Sequence, residues 1–349
     1  MKYFIFLKSK AGDFNSIKHL NNKNTVPFFD FIANSIIPDE VQKKQNSFID
    51  KICRFWDPKS RFYIDHYDLD SRARLPNSFH PYSIYENLIL KGFNLGIVTG
   101  IDRDLEHDKA VEKILSSKKD IPVAIRLNLK DLIAPRLVIH EIEELIDDLK
   151  KFTSIIDLVL DCRVIESVES KDKALNILKK FILNYETLRN DSLVIIASSS
   201  IPMTINDILK TGNSIAIQRL EYELWEDIKL LDTEYSSLTY GDYGTVSPDF
   251  QEIDSNGRPI PIAPKITYTF KTVFYISRGK LTTQHPRGFK QFKDIANEVM
   301  QINGFRVNAS FGDKYIELIA DHSNDKSGNA TTWITATMNQ HINYLNEII

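Results

Sequence analysis

The residues most able to do chemistry in this chain stand just after, or within, short apolar runs. Lys8 and Lys10 follow YFIFL, Asp30 follows VPFF, and Asp65 and His66 follow RFYI. Arg126 lies in VAIRL, Asp161 and Arg163 lie in LVLDCRV, Ser198, Ser199 and Ser200 close VIIA, and Arg219 and Glu221 follow IAIQ. Carboxylates and cations mixed on one rim suit a polar or phosphorylated small molecule, with or without a divalent metal such as Mg²⁺. Asp161, Asp30 and Glu221 are the candidate catalytic carboxylates. They would serve acid–base hydrolysis of a phosphoester or glycosidic bond.

The other groups read as ligand contacts. Hydroxyls and backbone amides at Ser198, Ser199 and Ser200 can cradle an oxyanion, and Arg219 can clamp it through two parallel hydrogen bonds. Lys8 and Lys10 share one face of an extended strand, where two ammonium groups repel unless an anion or carboxylate lies between them. Asp30 can neutralise Lys8. Arg126 and Arg163 add cations, and Asp161 and Arg163 share a face. In Asp65-His66-x-Asp68-x-Asp70 the acids are spaced like a loose metal cluster, without the glycine and terminal glutamate of a Ca²⁺ loop. Asp242 and Tyr243, in the turn-like YGDYG, and Arg278, in YISRG, complete the candidate ligand contacts. Against each stands the plainer reading of a solvated rim, a salt bridge or a turn. No GxxxxGK[ST], GxGxxG, HExxH, GxSxG or CxxC pattern occurs, which removes the common nucleotide, dinucleotide, zinc-protease and serine-hydrolase readings.

Groups so far apart in sequence meet only if the elements bring their strand ends together. Apolar β-rich runs at 3–7, 26–31, 62–66, 95–99, 122–127, 155–160, 193–197 and 215–218 alternate with amphipathic helical stretches. This rhythm suits strands with crossover helices, and eight units close most simply into a TIM-like (β/α)8 barrel. A doubly wound open sheet is the rival. The count of eight and the lack of a glycine-rich turn after the first strand favour closure. The expected barrel spans 1–234, and Asp13 is a candidate cap for its first helix. Residues 235–349 form an expected α+β extension on or near the barrel mouth. It comprises an irregular loop at 240–264, hairpin-like strands in KITYTF and VFYISRG, and two helices.

The 349 residues are 42% hydrophobic and 26% charged, with a net charge of −3. That balance predicts no general grip on nucleic acid or on an anionic membrane. Two distant cysteines, Cys53 and Cys162, fit free thiols in a reducing cytoplasm. The apolar run near the start is too short for a signal peptide or a membrane span. A cytoplasmic protein is expected.

Taken together, LKSKAGD, IPVAIRL, LVLDCR, ASSSIP, QRLEYELW, YGDYG, KITYTF, YISRG, FGDKYI and GNATTW followed by His341 resemble the beta family proteins of phages and bacteria. The resemblance runs through most of the chain. Asp30 departs from the glutamate expected there, and EYELW stands where the family tends to EW. The resemblance implies a shared site at Lys8, Lys10, Asp161, Arg163, Arg219, Glu221, Asp242 and Arg278, and a role in phage–host conflict, such as antiviral defence. It brings no established reaction with it. The leading expectation is a barrel mouth that binds an anionic, phosphate- or nucleotide-containing ligand and can hydrolyse it. The alternative is a non-catalytic scaffold whose C-terminal segment recognises a phage or host protein in a defence system.

Overall fold

Seven of the eight apolar runs become neighbouring strands of one parallel barrel: β1 (Tyr3–Lys8), β2 (Thr25–Asp30), β3 (Phe62–Asp65), β4 (Leu95–Thr99), β5 (Val123–Asn128), β6 (Ile156–Val164) and β7 (Val194–Ser199). The computed structural model describes residues 2–20, 24–184, 193–230, 238–249 and 262–349. Helices α1 (Ala11–Ile17), α2 (Pro38–Phe55), α3 (Glu86–Leu90), α4 (Leu105–Ser117), α5 (Pro135–Leu149), α6 (Val168–Asn184) and α7 (Leu220–Lys229) separate the strands. The barrel closes, as the eightfold rhythm predicts.

The closing strand is not the run at 215–218. That run is β8 (Ser214–Gln218), which pairs antiparallel with β11 (Val273–Arg278), itself antiparallel to β10 (Lys265–Thr269). The barrel is closed instead by β9 (Leu238–Asp242), parallel to both β7 and β1. A cut at 234/235 would therefore leave β8 with the barrel and β9 with the extension, the reverse of how they pair. The 234/235 junction itself, and residues 250–261 of the expected loop, lie outside the described residues.

Side chains alternate across the barrel wall, as strands require. Tyr3, Ile5, Leu7, Ile125, Leu127 and Tyr240 face outward into the helix-covered core. Phe4, Phe6, Phe28, Tyr63, Val159 and Ile195 fill the interior. The rings of Phe6 and Phe28 stack at 4.5 Å, and those of Phe28 and Tyr63 at 5.2 Å. Such bulk demands small residues opposite. A Cβ on Gly96 would lie 2.3 Å from a ring carbon of Tyr63, and one on Gly241 would lie 3.0 Å from Ile195. Gly241 is therefore a packing glycine inside a strand.

The three-stranded sheet is backed by α8 (Gln291–Met300), α9 (Phe311–Ala320) and α10 (Ala330–Ile348). Ile266, Tyr268, Phe292, Val299, Ile316 and Trp333 form its separate core. α10 joins the two units. Its Asn339 side chain donates to the carbonyls of Ser16 (2.8 Å) and His19 (3.0 Å), at the end of α1. The last carbonyls of a helix otherwise lack partners. No helix among the described residues is long and apolar enough to cross a membrane.

Candidate functional site

The inward positions at the C-terminal ends of β1, β2, β3, β5 and β6 are Lys8, Asp30, Asp65, Arg126 and Asp161. They meet around one guanidinium. Arg126 is 1% exposed. Its Nη1 donates to Asp30 (2.6 Å) and Asp65 (2.8 Å), and its Nη2 donates to Asp161 (2.7 Å) and to the Tyr243 hydroxyl (2.8 Å). Tyr243 in turn donates to Asp161 at 2.6 Å. The Tyr67 ring lies 4.4 Å from the guanidinium, in cation–π contact. Burial disfavours the Asp30 carboxylate, but Arg126 and Lys8 outweigh that cost and hold its pKa well below the usual carboxylate range.

Around this centre the charges are also paired. Lys8 donates to Asp30 at 3.1 Å and to Asp68. Arg103 pairs with Asp65 at 3.0 Å. A register shift in β6 places Arg163 in left-handed backbone, φ 54°. Its amide donates to Asp161, and its side chain reaches Asp249 (2.5 Å) instead of sharing the Asp161 face. His66 points away into a cluster with Tyr85, whose hydroxyl lies 2.8 Å from Nε2. Burial and then His80 keep its imidazole neutral.

A second polar cluster lies outside the barrel wall, against the C-terminal unit. Asp242 accepts hydrogen bonds from Tyr3 (2.6 Å), Tyr240 (2.8 Å) and His341 Nε2 (2.9 Å), and the other His341 nitrogen lies 3.0 Å from Thr269 Oγ1. Burial opposes the Asp242 charge, yet His341 and Arg219 hold its pKa below the ordinary value. Arg219 donates to Glu221 (2.7 Å), to Tyr240 (3.1 Å) and to the carbonyls of Phe270 and Lys271. Thr269, His341 and Asp242 have the connectivity of a nucleophile triad. Their exposures of 0, 0 and 1% leave no approach for a substrate.

Beside the first cluster lies a cavity of about 560 Å³. Lys8 and Lys10 line it from the end of β1, Tyr243 from the end of β9, and Ile201 to Ile205 from the segment after β7. Lys265 and Thr267 of β10, with Trp333, Ile334 and Met338 of α10, form the wall from the C-terminal unit. Most of the lining is apolar. The Thr267 hydroxyl is buried without a hydrogen-bond partner among the described residues. Lys265 has no ion pair among the described residues, and it stands directly opposite Arg278 in the β10–β11 register. Burial, and then Arg278, lower the Lys265 ammonium to about 8. Asp13, near the start of α1, is 4% exposed; burial raises its carboxyl to about 7. Large, mainly apolar pockets with a few convergent, pKa-shifted groups are typical ligand sites.

The expected site residues thus divide three ways. Lys8, Lys10 and Tyr243 line the cavity. Asp30, Arg126 and Asp161 form a charged floor behind Lys8 and Tyr243, to which they bond, and Arg163 reaches Asp249 instead. Arg219, Glu221 and Asp242 belong to the seam outside the barrel. The Ser199 hydroxyl accepts from the Ile201 amide within the turn, the Ser200 hydroxyl accepts from the Glu221 amide at the start of α7, and Ser198 is buried. Arg278 donates to the Leu209 carbonyl at 2.8 Å. Among the described residues no three His, Cys, Asp or Glu side chains are grouped to hold a metal ion. Lys265, Thr267 and the cavity role of Asp13 went unread in the sequence. The alternation KITYTF does set Lys265, Thr267 and Thr269 on one face, a polar face that turns out to be covered.

No curated protein matches the chain. The family model described as Beta protein matches residues 3–346, and the chain belongs to that family.

Proposed function

We propose that this member of the Beta protein family is a ligand-binding protein whose mouth cavity takes a small organic anion with an apolar or aromatic body. One observation carries the reading. Lys265 and Thr267 stand two residues apart on one strand face, and both look into an apolar cavity without a partner among the described residues. A buried hydroxyl left unpaired costs about 1–3 kcal/mol, and an unpaired ammonium costs more. An anionic group there would answer both. Trp333, Phe292, Phe6 and Tyr243 offer faces for a flat body, so nucleotides and aromatic acids are both in the class.

The cellular setting in this proposal is phage–host conflict in the cytoplasm, which the family resemblance supports. Isothermal titration with nucleoside monophosphates and aromatic carboxylates tests the binding step. At least one should bind, and Lys265→Met should weaken it about tenfold, or about 1.4 kcal/mol. Absence of heat with every member of the panel, for a folded protein, overturns the reading. For the setting, cells carrying the wild-type chain should resist phage better than cells carrying Lys265→Met. Equal plaque counts would remove that part.

A further inference from the structure

We infer that Lys265 is a covalent nucleophile that forms an imine with an aldehyde or ketone bound in the mouth cavity. The inference rests on reading that cavity as a ligand site, and it adds a carbonyl group to the ligand class.

Three features of the geometry carry it. Lys265 reaches an accessible, mainly apolar space, where a neutral amine is favoured over an ammonium. It faces Arg278 directly across the strand pair, and no described carboxylate offsets the two cations. A lysine that is desolvated beside a second cation is the usual form of an amine poised for Schiff-base chemistry. Finally, Asp13 lines the same cavity and is buried enough to hold a proton near neutrality. Lys8 lines the same cavity, but Asp30 and Asp68 neutralise it.

The step balances without any redox partner. The Nζ lone pair of neutral Lys265 adds to the carbonyl carbon, and the C=O π pair moves to oxygen. That oxygen takes a proton relayed from Asp13 through solvent in the cavity, while the nitrogen releases one. The carbinolamine then expels its hydroxyl as water, on a second proton, and the C=N bond forms. Thr267, two residues along the same face, supplies a hydroxyl to the departing oxygen.

The test uses the full chain, 4-formylbenzoate as the carbonyl probe, and sodium cyanoborohydride to fix any imine as a secondary amine. Peptide mapping by mass spectrometry then locates the adduct. Lys265 should be labelled about tenfold or more ahead of the surface lysines at pH 7.5, since an ordinary lysine titrates near 10.4. Its labelling rate should reach half-maximum near pH 8. Lys265→Met should remove this adduct and leave the surface background. Thr267→Val, a nearly isosteric change, should slow labelling without moving its position. Uniform labelling of the lysines overturns the imine, as does a Lys265 midpoint near 10. Titration of the same samples with benzoate, which has no aldehyde, separates the two readings. Benzoate binding with uniform labelling removes only the imine, whereas loss of both removes the cavity as a ligand site.

Discussion

Arg126 and Arg219 are built from the same parts. Each is buried, each donates to carboxylates and to a tyrosine hydroxyl, and each lies near aromatic rings. Their settings differ. Arg126 sits inside the barrel, and two of the groups tied to its cluster, Lys8 and Tyr243, also line the cavity. Arg219 sits outside the wall, where β9, α7, α10 and the three-stranded sheet close over it. Buried charge therefore marks a candidate site in this molecule only where it borders open space. Elsewhere the same chemistry holds two units together.

The comparison breaks most sharply at Arg126. Arg126→Met removes the cation that three carboxylates share, and removing one partner of a buried ion pair costs about 3–5 kcal/mol. Urea unfolding should show a loss of that size, together with loss of anion binding as the cavity floor rearranges. A stable variant that still binds would mean that the floor and the cavity are independent. At the seam, Asp242→Asn should cost about 1.5–3 kcal/mol, the range for hydrogen bonds to a charged group. It should leave probe labelling at Lys265 unchanged, because the seam does not reach the cavity. A labelling loss out of proportion to the stability loss would erase the distinction between the two clusters.

The remaining effect is read as a slope. Burial raises Asp13 from 3.8 to about 7, so the folded chain holds this proton more tightly than the unfolded chain. The stability that this proton contributes is therefore lost as pH rises from about 4 to about 7. Asp13→Asn should match the parent near pH 3 and exceed it at pH 8, read as unfolding midpoints across the series. Parallel curves would show that Asp13 titrates normally and would remove its role as a proton carrier.

Much of the barrel was legible because parallel strands under helices must be apolar on both faces, and seven such runs stand out. The eighth was misplaced for two physical reasons. IAIQ is as apolar as a barrel strand, and nothing within four residues says whether its neighbour will run parallel. Gly241 looked like a turn residue, yet it is a strand residue whose missing side chain makes room for Phe6 and Ile195. The charges at the strand ends were correctly located, but their partners were not readable. Arg126 looks like a ligand contact until Asp30, Asp65 and Asp161 are seen to occupy it. Lys265 looks like an ordinary surface lysine at the start of a strand until Trp333 and Met338, far along the chain, wall the cavity that it lines.

The bond from Asn339 to the end of α1 spans 323 residues. During synthesis, the first helix leaves the ribosome with its final carbonyls exposed and waits for Asn339 to follow. The roof of the cavity is made from that same late helix. A nascent chain consequently has no finished pocket until α10 has emerged, and a product truncated before α10 would have its cavity unroofed.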